Sequence, residues 1–164
     1  MSTGTLGNPT TQRRWPAYVM AVLSLGYALG KAVYAAQGRM GFPTGPVVSP
    51  EEHERYAREV MDVSLSQWLG CATGVLGAAI SMATITRAGR LLPRTLVLVA
   101  LAGMVLGVGA GAAVVVVDGF VGIGVGWRWF HGVVGLATLG ALVLTTHSYV
   151  PSTDSRRRGA RQPQ

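Results

Sequence analysis

The chain has 164 residues, of which 49% are hydrophobic, 13% are charged and 23 are glycine, and its formal net charge is +7. Soluble domains carry about a quarter charged residues, so the composition excludes an ordinary soluble domain. The positive charge segregates by side of the apolar runs, which excludes nucleic acid as a partner and makes the lipid bilayer the expected surroundings.

Four apolar runs predict membrane spans, at about 15–36, 65–86, 95–117 and 127–149. Each is close to the roughly 20 residues a helix needs to cross a hydrocarbon core. A soluble bundle would keep a polar face on every helix, whereas Val97 to Val117 holds no charged residue at all. The expected fold is all-α: a polytopic four-transmembrane-helix bundle over residues 15–150. With the N-terminus in the cytoplasm, Arg13, Arg14, Arg87, Arg90, Arg94, Arg156, Arg157, Arg158 and Arg161 fall inside against Asp154, net +8. The opposite side holds Lys31, Arg39, Arg55, Arg58 and Arg128 against Glu51, Glu52, Glu54, Glu59, Asp62 and Asp118, net −1. The positive-inside rule then predicts a multi-pass protein of the cell membrane with both termini cytoplasmic.

Residues 1–14 are small and polar and are expected to be disordered. Arg13-Arg14 ahead of an apolar run resembles a signal peptide. Lys31 inside that run and the run's length favour an uncleaved first span instead. Lys31 is the only lysine, and Tyr27 and Tyr34, four and three residues away, share its helix face. The loop that follows, residues 37–64, opens with turn chemistry rich in glycine and proline. Ser49-Pro50-Glu51-Glu52 then gives a serine cap, a proline at the first helical position and a glutamate at the third, predicting an extracytoplasmic amphipathic helix over 50–62.

Gly70, Gly74 and Gly77 in the second run and Gly103, Gly107, Gly109 and Gly111 in the third predict close helix packing, within the bundle or between molecules. Arg87 to Arg94 is read as a tight cytoplasmic turn with Pro93 starting the next helix. Asp118 to Gly126 is read as a flexible or re-entrant connection, and Trp127-Arg128-Trp129 as part of an aromatic interface belt. The chain ends in a basic tail over 151–164, expected to be disordered.

Cys71 is the only cysteine, so no intrachain disulfide is possible, and its place among small residues marks it as a buried apolar group. His53-Glu54-Arg55-Tyr56-Ala57 begins like the H-E-x-x-H zinc motif but has alanine where the second histidine belongs. His131 and His147 are about 24 Å apart on one helix, too far to share a metal. No cofactor and no metal are expected.

The remaining polar residues converge by topology on one end of the bundle: Tyr27, Lys31, Tyr34, Asp62, Gln67, Trp68, Asp118, Trp127, Arg128, Trp129 and His131. This outer polar and aromatic cluster is the candidate site. Lys31 is expected to pair with Asp118, or otherwise with Asp62, because an unpaired charge in a span costs at least about 2.5 kcal/mol. The alternative is that each residue is an independent interfacial group. In general character the chain resembles small polytopic membrane proteins of GC-rich bacteria, with no motif of a characterised family. The first functional reading is a non-enzymatic bundle acting through a membrane-protein partner or as a homo-oligomer. The alternatives are a small transport or efflux component with Lys31 and Asp118 at an outer vestibule, and an intramembrane enzyme on a lipid or isoprenoid substrate with Asp118 as its catalytic proton donor.

Overall fold

The structure, a computed structural model, describes residues 14–159, with side chains described for 14–150. The segments 1–13 and 160–164, where disordered termini are expected, lie outside the described residues. The described chain is all-helical, with α1 (Trp15–Ala36), α2 (Pro50–Glu59), α3 (Val63–Ala83), α4 (Arg94–Val121) and α5 (Trp129–Gly159). Four of these are long and apolar enough to cross a membrane: α1, α3, α4 and the Trp129–Val150 part of α5.

The helices follow from their caps. Pro16 sits in the first turn of α1, where its missing N–H costs nothing. Ser49 caps α2 as expected, its hydroxyl accepting the Glu52 N–H at 3.2 Å. Asp62 caps α3 in the same way, accepting the Leu65 N–H at 2.8 Å. α2 ends at Glu59, three residues short of the expected 62, and the Asp62 cap starts α3 at Val63, two residues before the expected span. Ala88–Leu91 form a 3-10 turn, and Pro93 stands as the N-cap of α4, one position earlier than a first-turn proline.

Two larger differences from the sequence reading fall at the ends of α4 and α5. The connection expected from Asp118 onward begins only at Gly122, whose φ of +71° is the left-handed cap that stops α4. Gly119 stays helical because it packs backbone to backbone on α5: a Cβ there would lie 2.8 Å from the Gly132 nitrogen. At the other end, α5 continues to Gly159, so residues 151–159 are helical where a disordered tail is expected. Pro151 removes one backbone donor, but no glycine between Gly140 and Gly159 offers the chain a left-handed stop.

α1 packs most extensively against α3, and α4 against α5; α1 also touches α5, while α3 meets α4 only lightly. The α1–α3 contact uses the glycines of the second run. A Cβ on Gly74 would lie 2.8 Å from the Ala28 Cβ, and one on Gly77 would lie 3.1 Å from the Ser24 hydroxyl. Small surfaces thus bring the two backbones close, the expected role of glycine at such a seam. The core where the helices meet is formed by Met20, Met104, Ala141 and Leu142, with Leu23, Ile80 and Val108 around it.

Candidate functional site: the loop end of the bundle

The end of the bundle that carries residues 37–62 and 122–128 gathers most of the expected polar cluster. Each long helix delivers one polar side chain there: Lys31 from α1, Gln67 from α3, Asp118 from α4 and His131 from α5. Gln67 and Asp118 are each 3% exposed and His131 is 7% exposed. All three carry a buried polar atom without a hydrogen-bond partner: Gln67 Oε1, Asp118 Oδ1 and His131 Nδ1. Such atoms are costly in a packed interior, which marks this end as more than apolar filling.

Lys31 lies along α3, where a Cβ on Gly70 would sit 3.3 Å from its Cγ and Cδ. Gly70 therefore gives the aliphatic stem a flat bed. The ammonium donates to the Gly41 carbonyl at 3.2 Å and lies 5.7 Å from the centroid of the Tyr27 ring. The expected ion pair with Asp118 or Asp62 is not formed. The salt bridges among the described residues are Glu52–Arg55 and Glu54–Arg58, both exposed on α2. The physical reason is that the loop backbone offers Lys31 a nearer acceptor, while Asp62 is committed to capping α3.

Asp118 is committed as well. Its Oδ2 accepts the N–H groups of Gly126 and Trp127, each at 3.0 Å, and its own carbonyl accepts the Gly122 N–H at 2.8 Å. One aspartate thereby closes both ends of the 122–127 connection. Gly124 passes directly over the carboxylate, since a Cβ there would lie 2.7 Å from Cγ. The two remaining turns are allowed by Gly122 and Gly126, with φ of +71° and +93°.

A loop that the sequence reading left out of the site ties these groups together. The Phe42 ring lies on Gly30, where any Cβ would collide with it, and stacks on Tyr27 with centroids 6.1 Å apart and planes 9° apart. Thr44 Oγ1 is 3.0 Å from His131 Nε2. Gly45 lies against the Trp127 ring, where a Cβ would come to 3.0 Å, and Trp127 meets His131 edge-on with ring centroids 4.8 Å apart. The 41–45 segment thus touches α1, α5 and the 122–128 connection. Phe42, the lone aromatic in a turn-rich stretch, is a signal the sequence offered; nothing in the sequence singles out Thr44.

Other expected members are exposed or make separate ring contacts at the margin of this network. Trp68 and Trp129 are 50% and 67% exposed. Arg128 stacks over Phe130 at 5.6 Å, and Tyr34 carries Arg39 over its ring at 5.1 Å while bordering Gly41. Beside the network, an open apolar recess of about 410 Å³ is lined by Ala113, Val114, Val117, Ile123 and Val125, with Asp118 and Gly124 at its edge. No protein-family model, curated protein or solved structure matches this chain.

Proposed function

We propose that the chain is a multi-pass protein of the cell membrane, with both termini cytoplasmic and α2 outside, that works without catalysis through lateral association along α4. The sidedness of the arginines supports the orientation. The observation that carries the functional reading is a contrast between two sets of glycines. Gly70, Gly74 and Gly77 on α3 each meet α1 closely. Gly103, Gly107 and Gly111 on α4 recur every fourth residue and have nothing within 4 Å of a Cβ position. A helix that gives up side-chain contacts at three successive turns presents a flat strip on which another helix backbone can lie closely. α4 is also the least covered long helix, with 11% of its apolar stretch buried against 33% for α1.

Two observations weigh against the rival readings. Met20, Met104 and Leu142 fill the middle of the bundle, which does not favour a polar transport path. Asp118 accepts two N–H bonds from its own loop, an arrangement suited to an acceptor rather than a proton donor. Affinity purification in mild detergent from cells carrying two differently tagged copies tests the association. Recovery of the second copy or of a stoichiometric membrane partner, abolished by Gly103→Leu with Gly107→Leu, is the expected result. A bare monomer from both forms contradicts it.

A further inference from the structure

We infer that the recess beside Asp118 binds an amphiphilic amine: a single aliphatic chain ending in a protonated, N–H-bearing head. Its volume of about 410 Å³ lies within the roughly 300–1,000 Å³ range of small-molecule sites. The walls supplied by Ala113, Val114, Val117, Ile123 and Val125 suit a hydrocarbon chain and provide nothing polar to hold a sugar or a nucleotide.

The head group follows from the carboxylate. Asp118 is 3% exposed, its Oδ2 is fully engaged by the Gly126 and Trp127 N–H groups, and its Oδ1 has no partner. An ammonium N–H supplies both a hydrogen bond and a counter-charge to that oxygen. A hydroxyl supplies only the hydrogen bond, and a carboxylate is repelled. The candidate internal counter-ion, Lys31, is held by the Gly41 carbonyl and makes no ion pair.

Access to Oδ1 is controlled by one residue. A Cβ on Gly124 would lie 2.8 Å from Oδ1, so the Gly124 backbone covers this oxygen. The covering segment, 123–125, is bounded by Gly122 and Gly126, both at positive φ, and its Ile123 and Val125 side chains are 70% and 68% exposed. Few contacts hold it down, and its two flanking glycines can absorb the backbone rotation that uncovers the carboxylate. The ligand's head takes the place of Gly124 over Oδ1 while its chain lies between Val114 and Val125.

The test is binding of radiolabelled dodecylamine to the full chain in lipid nanodiscs, with empty nanodiscs subtracted. The expected result is saturable binding of about one amine per chain. Unlabelled dodecanol should compete at least tenfold more weakly than unlabelled dodecylamine, and dodecanoate more weakly still. Val114→Phe, which fills the recess from an exposed position, and Asp118→Asn should each weaken binding at least tenfold, while Leu29→Phe on α1 should not. Should Asp118→Asn fail to fold, the head-group series and Val114→Phe decide alone. Binding no greater than to empty nanodiscs, equal competition by dodecanol, or unchanged binding by Val114→Phe overturns the inference. Because neither Gly103 nor Gly107 lines the recess, Gly103→Leu with Gly107→Leu should abolish association without touching amine binding, which separates this inference from the α4 contact.

Discussion

Thr44 and His131, 87 residues apart in sequence, meet at 3.0 Å between Oγ1 and Nε2. This bond fastens the long loop after α1 to the first turn of α5. His131 is buried and its Nδ1 already lacks a partner. Thr44→Val should therefore remove the ring's side-chain hydrogen bond and destabilise the protein by about 1–3 kcal/mol. Thermal unfolding in detergent checks this. Thr44→Ser should retain most of the wild-type midpoint, and equal midpoints for valine and serine would mean that the bond contributes nothing.

The two sets of glycines should respond oppositely to the same small change. Gly74→Ala places a methyl 2.8 Å from the Ala28 Cβ and should lower the unfolding midpoint. Gly103→Ala adds a methyl in open space within a helix and should leave the midpoint unchanged or raise it, by up to about 1 kcal/mol in stability. Equal losses from both would place Gly103 in a contact within the single chain.

Asp118 should prove structural through its acceptor oxygen. Asp118→Ala strands the Gly126 and Trp127 N–H groups and should cost on the order of 2–4 kcal/mol. Asp118→Asn keeps one acceptor oxygen and should recover at least half of that loss. Limited proteolysis at the 122–128 connection gives a second readout, with cleavage rising for alanine before asparagine. Identical behaviour of the two variants would show that the carboxylate charge, and not the two hydrogen bonds, holds the connection.

Much of the architecture is legible in the sequence because it follows from local rules. Apolar length marks the four long helices, and Ser49-Pro50 marks the start of α2. The end of α4 is set by a tertiary contact: Gly119 stays helical because it packs on Gly132. The polar residues at the loop end of the bundle can be named from the sequence, but their pairing cannot. Charge arithmetic sends Lys31 to Asp118, whereas Lys31 bonds to the Gly41 carbonyl and one Asp118 oxygen bonds to the Gly126 and Trp127 N–H groups. Backbone acceptors and donors have no signature in a sequence, and Thr44 is one threonine among many.

The orientation of the bundle can be read with two cysteines placed in a background lacking Cys71. Position 49 should be labelled on intact cells by an impermeant thiol reagent, and position 155 only after the membrane is opened. Labelling of both, or of neither, on intact cells would refute the topology.

The most direct test of the central claim is photocross-linking in native membranes from a benzophenone side chain placed in turn at the exposed positions 99, 106 and 110 of α4, which flank the glycine strip and leave it intact, with the exposed positions 29 on α1 and 76 on α3 as controls. The account predicts a discrete protein adduct from all three α4 positions, at the mass of two copies or of one copy with a single partner, and none from the controls. Modification by lipid alone at 99, 106 and 110, as at 29 and 76, would contradict it.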